Sequence, residues 1–299
     1  MLNKLLLTAI FSIAATSLQG DLAEAYFDVS AGYRRDKLSA DIHSFDTQNT
    51  QISRDQISVK DLDLFQIGGK GFAASCDWFV RGEAFWGWSD NGKYKAASKV
   101  RKHLFSKSTA HLNHGKTKDF SLGVGYFLSL CAPFEIGPVA GWSYQSQEFN
   151  VKKAHFLNLD EGYDPNSRAH FEYNNHWKGP WLGADAKFNL LGFDLRAGYS
   201  YHWANWNAKW SMKNRSEERF TSQDSRKSSN AHGQVAYLDF FWGFCPFIDF
   251  GVGLKWQQWQ VKKGKKKSVE TPETQVARNQ IQNAKWESFT VSLDFGISF

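Results

Sequence analysis

The sequence predicts an all-β fold, an antiparallel up-and-down transmembrane β-barrel of about ten strands, with twelve as the alternative count. Three observations predict it. First, in residues 289–299 the apolar Phe289, Val291, Leu293, Phe295, Ile297 and Phe299 alternate with Thr290, Ser292, Asp294, Gly296 and Ser298. A strand sends successive side chains to opposite faces, so this segment has one oily face and one wet face. Its length suits a tilted strand crossing a bilayer, roughly 9–11 residues. Second, the mean hydropathy is negative, yet 16% of the chain is aromatic, with 13 Trp and 25 Phe. A barrel reconciles the two, because only half of each strand meets lipid and the rims favour aromatic girdles. Third, very short and very long connections alternate, as turns and loops do at the two ends of such a barrel.

The chain opens with Lys4 and an apolar run over 5–15, followed by small residues. That pattern reads as a secretory leader of residues 1–20, cleaved as late as residue 25, ahead of a single barrel domain over 21–299. No Cys follows the leader, so acylation is not expected there. No later apolar run approaches the roughly 18 residues of a transmembrane helix.

The first strand begins near Phe27. Phe27, Val29, Ala31 and Tyr33 face one way, Asp28 and Arg34 the other. A polar stretch covers 44–54. In the second strand, 59–74, Leu62 and Leu64 alternate with Asp61 and Asp63, then Phe65 and Ile67 alternate with Gln66 and Gly68. The apolar phase slips near Phe65, and a β-bulge is expected there. Ser75-Cys76-Asp77 turns the chain into the third strand, 78–89, with Trp78, Val80, Trp86 and Trp88 outward and Arg81 and Glu83 inward. Residues 91–118 read as a long polar loop. The fourth strand puts Phe120, Leu122, Val124, Tyr126 and Leu128 outward and ends at the Cys131-Ala132-Pro133 turn. The fifth has Phe134, Ile136, Pro138, Ala140, Trp142 and Tyr144 outward and Glu135 inward; Pro138 removes one ladder donor.

A second long loop is read over 149–176. The sixth strand sets Leu182, Ala184, Ala186 and Phe188 against Asp185 and Lys187. After a turn at 190–192, the seventh sets Phe193 through Trp203 against Asp194, Arg196 and His202. A charged loop spans 210–230. The eighth strand carries Leu238, Phe240 and Trp242 outward with Asp239 inward, and 243–246 turns. The ninth carries Ile248, Phe250, Val252, Leu254 and Trp256 outward with Asp249 and Lys255 inward. A last loop, 262–284, leads into the terminal strand, where Asp294 points inward.

The inward faces therefore gather many acids, together with Arg34, Lys70, Arg81, Lys187, Arg196 and Lys255. Buried charges must be paired or wetted. Two outcomes are open: the pairs fill the bore as a structural plug, or they line a small charge-selective pore, since rings of Asp and Glu can select cations. A ten-stranded barrel is narrow, and wide aqueous channels belong to barrels of about 16–18 strands. The loops are basic, with Lys93, Lys95, Arg101 and Lys102 in one and Lys262, Lys263 and Lys265 in another. Beside Trp86, Trp88, Trp256 and Trp259 they suit lipopolysaccharide phosphates, host glycans or another anionic partner. Nucleic acid is not expected in that compartment. Cys76, Cys131 and Cys245 all sit at the short-turn end, and an odd count cannot fully pair within one chain. Free thiols or intermolecular disulfides in an oxidising compartment both remain open.

The terminal strand resembles that of bacterial outer-membrane β-barrels, in which the final aromatic residue, here Phe299, belongs to the signal read by the barrel-assembly machinery. The start at residues 27–34 (Phe-Asp-Val-Ser-Ala-Gly-Tyr-Arg), the Cys-containing turns and residues 131–138 (Cys-Ala-Pro-Phe-Glu-Ile-Gly-Pro) resemble the Protochlamydia outer membrane protein family. That resemblance implies an outer-membrane location in contact with lipid and lipopolysaccharide, porin-like passage of ions or small solutes, and disulfide-linked envelope structure. In strand count and length the chain also resembles the omptin surface proteases. Asp41-Ile42-His43 has an Asp-x-His spacing and Asp61 with Asp63 an Asp-x-Asp spacing, so the omptin likeness implies Asp41, His43, Asp61 and Asp63 as a water-activating set. The two pairs occur in reversed order, and nothing comparable lies in the fourth loop. No phosphate-binding glycine loop, nucleophile elbow or His-Glu-x-x-His motif occurs, and the spacing of His103, His111 and His114 matches no known ligand set, so no cofactor or metal is expected.

Overall fold

The computed structural model describes residues 24–298 apart from 46–49, 76, 90, 101–102, 132–133, 159–161, 191, 215–219, 246 and 270–277. The expected leader, Cys76, Arg101, Lys102 and Phe299 lie outside the described residues. Every described element is a strand: β1 (Glu24–Phe45), β2 (Gln51–Ser75), β3 (Trp78–Ser89), β4 (Lys93–Val100), β5 (His103–Tyr126), β6 (Leu128–Cys131), β7 (Phe134–Asn158), β8 (Gly162–Leu190), β9 (Phe193–Asn214), β10 (Phe220–Cys245), β11 (Ile248–Val269) and β12 (Arg278–Ser298). They form one antiparallel sheet, and β1 pairs with both β2 and β12, which closes it into a barrel.

The twelve segments make ten staves. Lys60 pairs with Lys93 and Phe65 with Trp88 in one register, so β3 and β4 are a single stave whose pairing with β2 lapses between Trp88 and Lys93. Ser89 Oγ spans that lapse, donating to Asn91 O at 2.8 Å and accepting from Asn91 N at 3.0 Å. In the same way β6 continues β5 along β7 past Phe127, whose amide turns to Asp77 O at 2.7 Å.

The strands are far longer than a membrane needs. Nine of them run 21–29 residues, against the roughly 9–11 that cross a bilayer at a tilt. Four segments read as loops, 91–118, 149–176, 210–230 and 262–284, are largely strand: they form β4 and the first part of β5, and the outer ends of β7 to β12. The loop reading fails because their outward residues are polar, which in a membrane strand marks an end. The period of two simply continues with its apolar side turned inward.

That inversion recurs around the barrel. In β1 the apolar residues are outward through Tyr33 and inward from Leu38; in β7 they are outward through Tyr144 and inward from Phe149; in β9 Trp203 is exposed and Trp206 buried; in β11 Leu254 is exposed and Trp259 buried. The expected bulge at Phe65 is therefore absent. Leu62, Leu64 and Gln66 point inward, and Phe65 and Ile67 outward, with no break in pairing. The irregularity lies just before, where Asp36 pairs with Leu62 but Leu38 with Val59, and Asp61 takes a φ of 53° to absorb the extra residue. Below the inversion the barrel is oily outside, and within it holds charged and polar side chains together with a small apolar cluster of Phe72, Phe79, Val139 and Trp181. Above it the barrel is built like a soluble protein, polar outside with an apolar core.

Candidate functional site

The bore at membrane height is filled by charge pairs that strand alternation points inward. Arg34 Nε lies 2.8 Å from Asp36 Oδ1, and Arg34 Nη1 donates to Asp119 Oδ2 at 2.7 Å; all three side chains are sealed from solvent. Gln257 Nε2 donates to Asp119 at 2.9 Å and Gln147 Nε2 to Asp36 at 3.0 Å, so both carboxylates are held from two sides. Lower down, Lys70 Nζ bridges Asp239 at 2.7 Å and Asp294 at 3.3 Å, and Lys255 Nζ meets Glu83 at 2.7 Å. Arg196 holds Asp194 at 2.6 Å and Asp28 at 3.3 Å while its guanidinium lies 3.5 Å from the Tyr26 ring centre. Arg81 Nε is 2.8 Å from Asp185 Oδ2 as an ion pair without hydrogen-bond alignment, and Lys187 pairs with Glu24. Glu135 stands opposite Lys187 in the β7–β8 register, and Asp249 accepts from Ser298 Oγ at 2.6 Å near the short-turn end. His202 is closed in between Ser143 Oγ at 2.8 Å and Ser200 Oγ at 2.9 Å.

The charged belt is capped at both ends. Toward the short turns Tyr26, Phe72, Phe79 and Phe127 stack across the bore, with ring centres 4.3–6.0 Å apart. On the other side Trp177, Trp206, Trp259 and Trp286 anchor a core that includes Leu62, Leu64, Leu112, Phe149, Val151 and Ile281. Trp181 lies across Gly123 and Gly141, where a Cβ would come within 2.6 Å of its ring, so both positions must lack a side chain for the indole to seat. One cavity within the charged belt, lined by Asp28, Lys70, Arg81, Glu83 and Lys255 among others, measures about 50 Å³, room for a few waters.

Sequence reasoning found most of the belt but missed Asp36, Asp119, Gln147 and Gln257. They lie where the outward apolar stripe ends; continuing the count of two from Arg34, Ser143 and Lys255 would have reached three of them.

The other expected residues lie elsewhere. Asp41 and His43 alternate with inward Ile42, which puts them on the outer wall; Asp41 holds Arg54 Nε at 2.9 Å, and His43 Nε2 is 3.3 Å from Asp41. Asp63 accepts from Arg35 Nε at 2.7 Å and from Tyr33, and this hydrogen-bonded guanidinium holds its carboxyl below the usual range. Lys93 meets Asp61 at 3.4 Å. Asp41 faces Gln56 and Asp63 faces Arg35 in the β1–β2 register, six residues or roughly 20 Å apart along β1. The structure thus divides these acids between separate ion pairs and does not bring them together with His43 in a groove. Lys95 borders an open hollow of about 510 Å³ at the mouth, with Lys107, Asp41, Ile57 and Ala96. Lys262 is exposed on β11, the strand that also carries Lys263 and Lys265. Cys131 ends β6, and Cys245 is an exposed free thiol at the short-turn end of β10. Among the described residues no group of His, Cys, Asp and Glu is arranged to hold a metal.

A closed ten-stave barrel with an oily outer band, aromatic rims and a polar interior defines an integral outer-membrane β-barrel. The chain belongs to the Protochlamydia outer membrane protein family, whose family model matches residues 28–299. No curated protein matches it. Among solved structures it is similar to the outer membrane protease OmpT of Escherichia coli, with a TM-score of 0.73 at 11% identity over 93% of this chain and 97% of that one. At that identity the likeness is one of fold. The outer membrane protein OprG of Pseudomonas aeruginosa matches with a TM-score of 0.34 and 13% identity over 94% of this chain and 98% of that one. A major outer membrane protein of Thermus thermophilus matches with 0.36 and 11% over 90% and 99%.

Proposed function

We propose that this protein is a closed structural barrel of the outer membrane, which raises a rigid folded surface above the bilayer and passes no solute. The observation that carries this reading is the filling of the bore at three successive heights: stacked aromatics, paired charges and a tryptophan core. Porin-like passage, which the inward charges also allow, needs a continuous wet path, and that cavity within the charged belt is about 50 Å³. The charges are spent on one another: Lys70, Arg81, Arg196 and Lys255 each have a carboxylate within 2.8 Å.

The test is conductance of the refolded full-length protein in a planar bilayer at two ionic strengths. A silent membrane is the expected result. Reproducible ion-selective steps that scale with salt would overturn the closed-barrel reading in favour of a small pore.

A further inference from the structure

The outer wall carries a cationic patch that the ion pairs described above leave unused. One ladder row runs Lys118–Ser146–His176–Asn207–Lys227 across β5, β7, β8, β9 and β10. Adjacent rows set Lys178 opposite Asn205, and Lys209 opposite Asn174. Alternation puts all of these on the outward face, and Lys118, Lys178, Lys209 and Lys227 are exposed. None of the four lysines forms an ion pair among the described residues. Among the described residues the acids on this face are Glu148, which accepts from Asn174 Nδ2 at 3.2 Å, and Glu172, opposite Ser211 toward the far end. His176 lies between them: Lys178 is two residues along the same face of β8, and Asn207, opposite His176 on β9, is flanked by Lys209 two residues along and by Lys227 opposite on β10.

Height decides what this patch meets. Tyr144, part of the aromatic rim, stacks on His176 with ring centres 6.1 Å apart and stands opposite Lys178 in register. The exposed Trp203 lies two residues below Asn205 on β9. Aromatic residues of this kind settle at the headgroup level, and long lysine side chains reach from the hydrocarbon edge into it. The amines therefore stand where the outer leaflet carries its headgroups. Lysine ammoniums act there as point charges for phosphate.

We propose that Lys178, Lys209 and Lys227, grouped round His176, bind the phosphates of an outer-leaflet glycolipid headgroup. Full-length protein in detergent micelles would be titrated with bisphosphorylated lipid A, with the same lipid stripped of phosphate, and with inorganic phosphate as competitor. Binding is expected for the bisphosphorylated lipid and should fall at least tenfold for the stripped lipid. At roughly fivefold per lysine near an anionic surface, Lys178→Gln/Lys209→Gln/Lys227→Gln should lose about 100-fold. Each single substitution should lose about fivefold, which keeps the test alive if the triple variant folds poorly. Lys37→Gln/Lys60→Gln/Lys107→Gln removes the same charge from exposed positions in another sector and should bind as the unmodified protein does. Equal losses in the two triple variants, no loss in the first, or full displacement by inorganic phosphate at the lipid's own concentration would each overturn the proposal.

Discussion

Arg34→Ala is expected to lower the unfolding free energy by about 3–5 kcal/mol, measured by urea titration of protein folded into lipid vesicles. Arg34 is fully buried and is held by Asp36 and Asp119 on opposite sides, while its guanidinium sits 5.2 Å from the Trp286 ring centre. Removing it leaves two carboxylates facing each other in a sealed space. That costs more than the pair itself contributed, because a buried charge without its partner keeps its full desolvation penalty. The next residue supplies the control. Arg35 makes an equally short contact with Asp63, 2.7 Å, but its side chain is 48% exposed. A surface pair is worth roughly 0–1 kcal/mol, so Arg35→Ala should shift stability by no more than that. Equal effects at the two neighbours would mean that the bore is wet and that Arg34 is not sealed.

Trp259→Ala is the second large effect, about 3–5 kcal/mol. Trp259 has no exposure and meets Trp177 at 5.8 Å, Trp286 at 6.5 Å and His202 at 4.9 Å between ring centres. Its indole also lies against Gly233, where a Cβ would come within 2.3 Å of the ring, so on that side there is no side chain to fill the hole. The variant should stay electrically silent in a planar bilayer, because the belt of Lys70, Glu83 and Lys255 beneath it still closes the bore. Loss of stability together with a new conductance would show that the tryptophan layer is the only seal.

The membrane half was legible in the sequence because lipid imposes a simple rule: Phe27 to Tyr33 and Phe289 to Ile297 must show oil on every second residue. The inward charges followed by parity, and ten staves followed from counting such stripes. The upper half was not legible by that rule. There the oily residues sit on the other parity, so Leu62 and Leu64 imitated a slipped strand, and the run of Lys93, Lys95, Lys99 and Lys107 imitated a loop. Partners across the bore were harder still. Asp119 is 85 residues from Arg34 in the chain, and Lys70 is 169 from Asp239. Only closure of the cylinder brings them together, and no local pattern records it. The likeness to omptins rested on strand count and length and holds as a likeness of fold; the set Asp41, His43, Asp61 and Asp63 that it implied rested on short spacings, and the pairing of β1 with β2 sets these along an outer wall. The cationic patch round His176 escaped notice because its members come from three strands, His176 and Lys178 from β8, Lys209 from β9 and Lys227 from β10, and no local pattern joins them.

The reversal of oil and water midway along each stave also governs how such a turret can change its height over generations. One extra residue between Trp177 and Leu182 would rotate everything beyond it by half a period, thrusting Trp177, Tyr173 and Phe171 into solvent and Lys178 into the core. Two extra residues would leave every orientation intact and merely lift the summit. Lineages of this barrel are therefore expected to grow taller or shorter in even increments, stave by stave, with odd increments tolerated only where a bulge like that at Asp61 takes up the remainder.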